Sequence, residues 1–431
     1  MSIKNFITDM LNVNPVDIES ISSVVQSNNT VKVKIRLKSD PAIRCPFCKQ
    51  PVIKNGFMSR TLTHSTLVNR KCIIVYERRR YLCKSCGLSF CEDNPFINTR
   101  ESVTLETKIN VLKDLKNVAN TYTSVAERFN LSVTKVQRIF DKSVNIKRKP
   151  LPEVLSMDEH YFPSSNFDSL YICILMDFKT GVIIDVLPDR KKDYISQYFN
   201  NIRNVTLDIH NRSELGNVKY VSIDLYENYR ELSHIYFPYA KVCADSFHVL
   251  KHLTKDFHMI RLRCRRNTQD ENIQYLLTKF KFIFNHDAYL DNDPKYNKRF
   301  KRYLNYRDII TLLFDYFPEL KKAYDLKEAY IQFNNTASYE TARMELTDII
   351  KLFADSDIKE YYEFYNMLIN WYEEIINSFI IINGRRINNS YIESRNNQIE
   401  RLIYNARGFV NYKRARNRIL YCLNKEDTYK I

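Results

Sequence analysis

Glu153-Val-Leu-Ser-Met-Asp158-Glu-His-Tyr-Phe162 is an apolar run with a carboxylate set inside it. It reads as a strand, and an acid within an apolar strand is costly unless it is paired or binds a metal. Two further strands follow at residues 169–178 and 182–187, with Thr180-Gly181 turning between them. Residues 191–202 read as a helix, 218–224 as a strand, 227–236 as a helix and 240–244 as a strand, with another helix starting at Phe247. Three strands of antiparallel type followed by alternating helix and strand predict a mixed α/β layer core. From about 255 to 385 the pattern is almost wholly helical, and a last helix starts near Asn389.

Two more carboxylates fit the place of Asp158. Asp224 closes Val221-Ser-Ile223, the fourth strand of the series, and Glu393 lies in Asn389-Ser-Tyr-Ile-Glu-Ser-Arg-Asn-Asn-Gln-Ile-Glu400. Phosphodiester cleavage with two metal ions needs several carboxylates converging at one point, and Mg²⁺ takes oxygen ligands while keeping waters. A first-strand Asp, a fourth-strand Asp and a late-helix Glu form the layout of a ribonuclease H-like site. Glu159, Asp177, Asp185 and Asp245 are competing acids in the same strands.

The chain has 431 residues, so two or three domains are expected. Apolar residues at 44% and aromatics at 13% exclude wholesale disorder. No stretch reaches the roughly 18 apolar residues of a membrane span, and MSIKNFITDMLNVNP lacks the layout of a secretory signal. A cytoplasmic protein, nucleoid-associated when bound to DNA, is expected. Residues 1–150 hold 26 lysines and arginines against 12 acids, while residues 151–431 hold 40 against 38. The net charge of +16 thus belongs mainly to the first third, a field that attracts nucleic acid.

That basic third carries two readable modules. Cys45-Pro-Phe-Cys48 and Cys83-Lys-Ser-Cys86 are paired C-x2-C knuckles that can close a tetrahedral structural Zn²⁺ site, with His64 as a weaker rival ligand. Val31-Lys-Val-Lys-Ile-Arg-Leu-Lys38 alternates as a half-buried strand, and Arg78, Arg79 and Arg80 lie on a second basic strand suited to gripping phosphates. Residues 123–140 have the shape of a helix-turn-helix, with Val125, Ala126 and Phe129 on one apolar face and Val133, Val136 and Phe140 on the next. Ser132 caps the second helix. Thr134, Lys135, Gln137 and Arg138 then point outward toward a DNA groove. The segment boundaries read as 1–40 for an N-terminal segment, 41–98 for the zinc ribbon and 101–145 for the helix-turn-helix. The core reads as 151–255 and 386–431, with a helical insertion at 256–385 between its two parts.

Over nearly its whole length the chain resembles the ISL-three family of bacterial insertion-sequence transposases. The marks are the two knuckles, the helix-turn-helix, Met157-Asp158-Glu159, Ser222-Ile-Asp224, Ala244-Asp-Ser-Phe-His248 and Ser390-Tyr-Ile-Glu393-Ser-Arg-Asn-Asn397. The resemblance implies an Asp-Asp-Glu catalytic triad at Asp158, Asp224 and Glu393 on a ribonuclease H-like fold, interrupted by an all-helical insertion. It suggests His248 as a helper near the scissile phosphate; Arg395, Arg401 and Arg407 follow Glu393 on the last helix, where they can grip a flanking strand. The expected reaction is Mg²⁺-dependent (or Mn²⁺-dependent) DNA cleavage and strand transfer at terminal inverted repeats, with a homodimer holding two DNA ends. Two rivals differ in observable ways. A DNA-binding regulator derived from a transposase would not nick end-sequence DNA, and a structure-specific nuclease would bind arbitrary duplexes equally well.

Overall fold

A computed structural model describes residues 14–67, 70–97, 101–163, 169–205 and 213–430; most of the N-terminal stretch that lacks the layout of a secretory signal lies outside them. The chain divides into two compact units, residues 1–147 with 398–431, and residues 148–397.

The first unit is built on one sheet. Strands β1 (Ile18–Val25), β2 (Thr30–Leu37), β3 (Ile53–Leu67), β4 (Arg70–Leu82) and β5 (Ser89–Cys91) are ordered β1-β2-β4-β3, with β5 on β4. The basic alternation of β2 buries Val33 and Ile35 and turns Lys32 and Lys34 away from the core, as a period of two requires. The segment expected to stand apart at 1–40 therefore supplies two strands of the ribbon's own sheet. Helices α1 (Leu105–Leu115), α2 (Tyr122–Arg128) and α3 (Val133–Ser143) follow. Val125, Ala126, Phe129, Val136 and Phe140 meet in one buried cluster with Leu112 and Leu115. Ser132 caps α3, its hydroxyl accepting from the Lys135 N–H. One expected boundary is corrected. The helix Tyr412–Leu423, read as part of the core, packs on the helix-turn-helix: Tyr421 joins its apolar cluster and donates from its hydroxyl to the Leu112 carbonyl, 2.9 Å away.

The second unit holds a five-stranded mixed sheet. β6 (Val154–Tyr161), β7 (Tyr171–Asp177) and β8 (Ile183–Leu187) run antiparallel in succession. β9 (Tyr220–Ile223) and β10 (Lys241–Ala244) add parallel to β6, giving the order β10-β9-β6-β7-β8. The turn between β7 and β8 places Gly181 at φ 68°, open to glycine without strain. Helices α4 (Lys192–Val205), α5 (Glu227–Tyr236) and α6 (Ser246–Asn267) bring Phe199, Leu232 and Leu253 into one apolar cluster with Leu155, Met157 and Leu175 of the sheet. The same buried cluster continues without a break into the inserted helices through Leu276, Leu313, Leu346 and Trp371. The insertion is not all-helical: β11 (Lys295–Asn297) and β12 (Arg302–Leu304) form a hairpin within it.

A candidate carboxylate site and a four-cysteine cluster

Parallel pairing sets three acids side by side. Ser156 is level with Ser222 and Ile223 with Ala244. Continuing those registers puts Asp158, Asp224 and Asp245 at one height on β6 and at the ends of β9 and β10. Adjacent strands lie about 4.8 Å apart. Asp158 is buried, its Oδ1 accepting from the Glu159 N–H at 2.8 Å and its Oδ2 from Asn396 Nδ2 at 2.7 Å. Burial pushes its carboxyl up to about 6. Asp224 is pushed up to about 7, by burial first and then by the negative charge of Asp158, and its Oδ1 is buried with no hydrogen-bond partner among the described residues.

Asp245 caps α6 and orients the histidine one turn on. His248 Nδ1 lies 2.9 Å from Asp245 Oδ2, and that contact raises the basicity of the imidazole. Glu393 sits in the first turn of the helix Ser390–Ala406, and burial raises its carboxyl. The start of this helix is tied to the sheet by Asn389, which is fully buried. Its Oδ1 accepts from Ser222 Oγ at 2.8 Å, its Nδ2 faces the Met157 carbonyl at 3.5 Å, and its N–H donates to Asp245 Oδ1 at 3.2 Å. Asn396 lies three residues beyond Glu393, on the same helix face, and this is the residue that holds Asp158.

Among the described residues, two groups bring three or more ligand atoms within 4.8 Å of one another: Asp245–His248–Glu393 and the four cysteines. The expected set of Asp158, Asp224 and Glu393 is not one of them; Glu393 stands with the acid that neighbours Asp224. Asp245 and Asn396 are the residues the sequence reading left without a role. Asp245 carried the same signal as Asp224, an acid closing a short apolar strand. Nothing in the sequence singled out Asn396. The competing acids are otherwise engaged. Glu159 pairs with Arg190, Asp177 holds the turn through Lys179 N–H and Thr180 Oγ1, and Asp185 accepts from Tyr198.

The four knuckle cysteines converge at sulfur separations of 3.4–3.6 Å. A tetrahedral Zn²⁺ with bonds of about 2.3 Å sets its sulfurs roughly 3.8 Å apart, so this cluster could hold zinc. The Cys86 N–H and neighbouring donors hold the Cys83 thiol down at about 6 and Cys45 is lowered as well, while Cys48 and Cys86 are raised. His64 is not part of the cluster: it is buried against Thr104 Oγ1 at 2.9 Å.

The outward residues divide. Thr134 and Arg138 are exposed on α3, with Lys135 and Gln137 half-buried. Arg80 is exposed, while Arg78 donates to the Glu92 carbonyl. Arg79 corrects the expectation for its strand: it is 3% exposed and pairs with Glu19 and Glu92, so it faces the interior. Arg395 clasps the Gly181 carbonyl, and Arg401 and Arg407 are exposed.

Residues 155–419, well over half of the chain and spanning all four candidate catalytic residues, match the family model described as Transposase, that of the ISL3-type DDE transposases. The chain belongs to the ISL3 transposase family. No curated protein matches it. In this transposase no described helix is long and apolar enough to cross a membrane.

Proposed function

We propose that this transposase binds the terminal inverted repeats of an insertion sequence and cuts and joins DNA on a ribonuclease H-like core, with Asp158, Asp224 and Glu393 as the catalytic carboxylates. One observation carries the reading: two aspartates on adjacent parallel strands repel each other in a buried site, and one of them has an oxygen without a partner. A buried carboxylate in that state calls for a cation. The acids and oxygen donors fit Mg²⁺, with Mn²⁺ as a substitute. When bound, two such ions supply charge that activates the attacking oxygen and steadies the leaving one.

The rest is the work of the chain's own residues. Asp158 and Asp224 fix the site from rigid strands. Glu393 reaches one strand across from Asp245 to join them. Asn396 holds the Asp158 carboxylate in orientation, and Asp245 holds His248, which steadies a phosphate oxygen or a water at the scissile bond. The knuckles hold a structural Zn²⁺ that orders the ribbon. Helix α3 meets the DNA end through Thr134, Lys135, Gln137 and Arg138, with Arg80 of the ribbon and Arg401 of the last long helix on phosphates. The products are a hydrolysed strand end and then a 3′-hydroxyl joined to target DNA. Since two ends must be held together, the active form is a homodimer on DNA. The test is Asp224→Asn. End-duplex binding persists and Mg²⁺-dependent nicking is lost; retained nicking would refute the assignment.

A further inference from the structure

The charge balance of residues 151–431 hides local departures from it, and one of them lies in the insertion. Residues 294–307, Pro-Lys-Tyr-Asn-Lys-Arg-Phe-Lys-Arg-Tyr-Leu-Asn-Tyr-Arg, hold six cations and no acid. This stretch is the hairpin β11–β12 with its turn and flanks. Arg299 and Arg307 are engaged, the first over the Tyr275 ring at 4.7 Å and the second with Asp291 at 2.6 Å. Lys295, Lys298, Lys301 and Arg302 are exposed, and none has a side-chain partner among the described residues. Tyr296 and Tyr303 face each other across the two strands, with ring centroids 5.4 Å apart, and remain 55% and 69% exposed.

We infer that this hairpin is a second DNA contact, a ribbon that holds the phosphates of duplex DNA without reading sequence, separate from the helix-turn-helix. Four exposed, unpartnered cations on a two-stranded ribbon need a partner with dense, regular negative charge. Another copy of this unit, with acids and bases almost equal, does not supply it. A two-stranded ribbon fits the major groove, and exposed tyrosines between cations give apolar and hydrogen-bonding contact beside the phosphates. The inference rests on the chain acting on DNA, and its test separates the two.

The full chain is titrated against a fluorescein-labelled duplex of arbitrary sequence over a range of salt. It is compared with the variant K295Q/K298Q/K301Q/R302Q, with unchanged emission from the buried Trp371 confirming that the unit is folded. Each phosphate contact contributes about 0.9 to the slope of log affinity against log salt, so loss of four contacts lowers the slope by about 3.6 and affinity falls at least about tenfold. The double variant K298Q/K301Q, changed only in the turn, loses about half of that slope. Equal slopes and affinities in wild type and variants would overturn the inference while leaving the transposase reading intact. So would a loss confined to element-end sequence, or a changed sedimentation coefficient of the DNA-free protein with unchanged DNA affinity, which would mark a surface for self-association. Failure of the wild type to bind duplex DNA would remove both.

Discussion

Among the described residues, two clusters of metal-type ligands are built on opposite plans. The cysteine cluster draws four sulfurs from two tight turns, which bring them all within 4.8 Å of one another. The carboxylate cluster draws its groups from β6, β9, β10 and a helix that starts more than two hundred residues after β6, and buries charges that repel each other. In the first, a bound zinc would make ligand and fold one event, since a preformed site does not exist in the unfolded chain. In the second, the fold bears an electrostatic cost, as the cation and phosphate site proposed above requires. Loss of a cysteine should therefore damage structure, and loss of an acid should damage chemistry.

The sharpest way to break this comparison is to strip the thiolates. Zinc chelation, or Cys83→Ser, is expected to unfold the ribbon, a metal contribution on the order of 10 kcal/mol in isolated zinc modules. End-DNA binding is lost with it. Trp371, the one tryptophan of the chain, is buried in the second unit, so its emission should stay unchanged. A parallel shift in Trp371 emission would contradict the division of labour. The converse experiment is Glu393→Gln: nicking falls by at least about a thousandfold, while the melting temperature holds or rises because a partly buried carboxylate is neutralised. A smaller effect is expected at the positioning residue. Asn396→Ala, which frees the Asp158 carboxylate, should lower nicking about 10- to 100-fold with DNA affinity intact. Rescue by Mn²⁺ would separate this from a misfolded helix. Smallest is Ser132→Ala, which removes the cap of α3 and should cost about 1 kcal/mol in denaturant unfolding of the first unit.

The two plans also differ in how far the sequence reveals them. The knuckles were legible because their ligands are close in the chain, and the sheet because apolar runs and Thr180-Gly181 mark its strands. Asp158 and Asp224 stood out as acids in apolar strands. Asn396 did not, because its role depends on which helix face meets β6, a fact of tertiary packing. Arg79 was misread because the inward face of β4 changes from Cys72, Ile74 and Tyr76 to Arg79 and Tyr81. The β3 bulge between Lys54 and Phe57, with Gly56 at φ 79°, lies just beyond that change, opposite Arg79 and Tyr81. The last helix was assigned to the wrong unit because a continuous helix, Ser390–Ala406, runs across the boundary with no break in composition. The hairpin of the insertion was lost in an average over 281 residues in which opposite charges cancel.

The central claim is that acids far apart in the chain act as one catalytic unit. Single-turnover nicking of an end-sequence duplex in Mg²⁺ by D158N, D224N, E393Q and the triple variant tests it directly. Groups that work together lose as much singly as they do jointly, so every single variant is expected to match the triple, with end binding preserved in all four. A single variant that nicks well above the triple would remove that residue from the site and contradict the account.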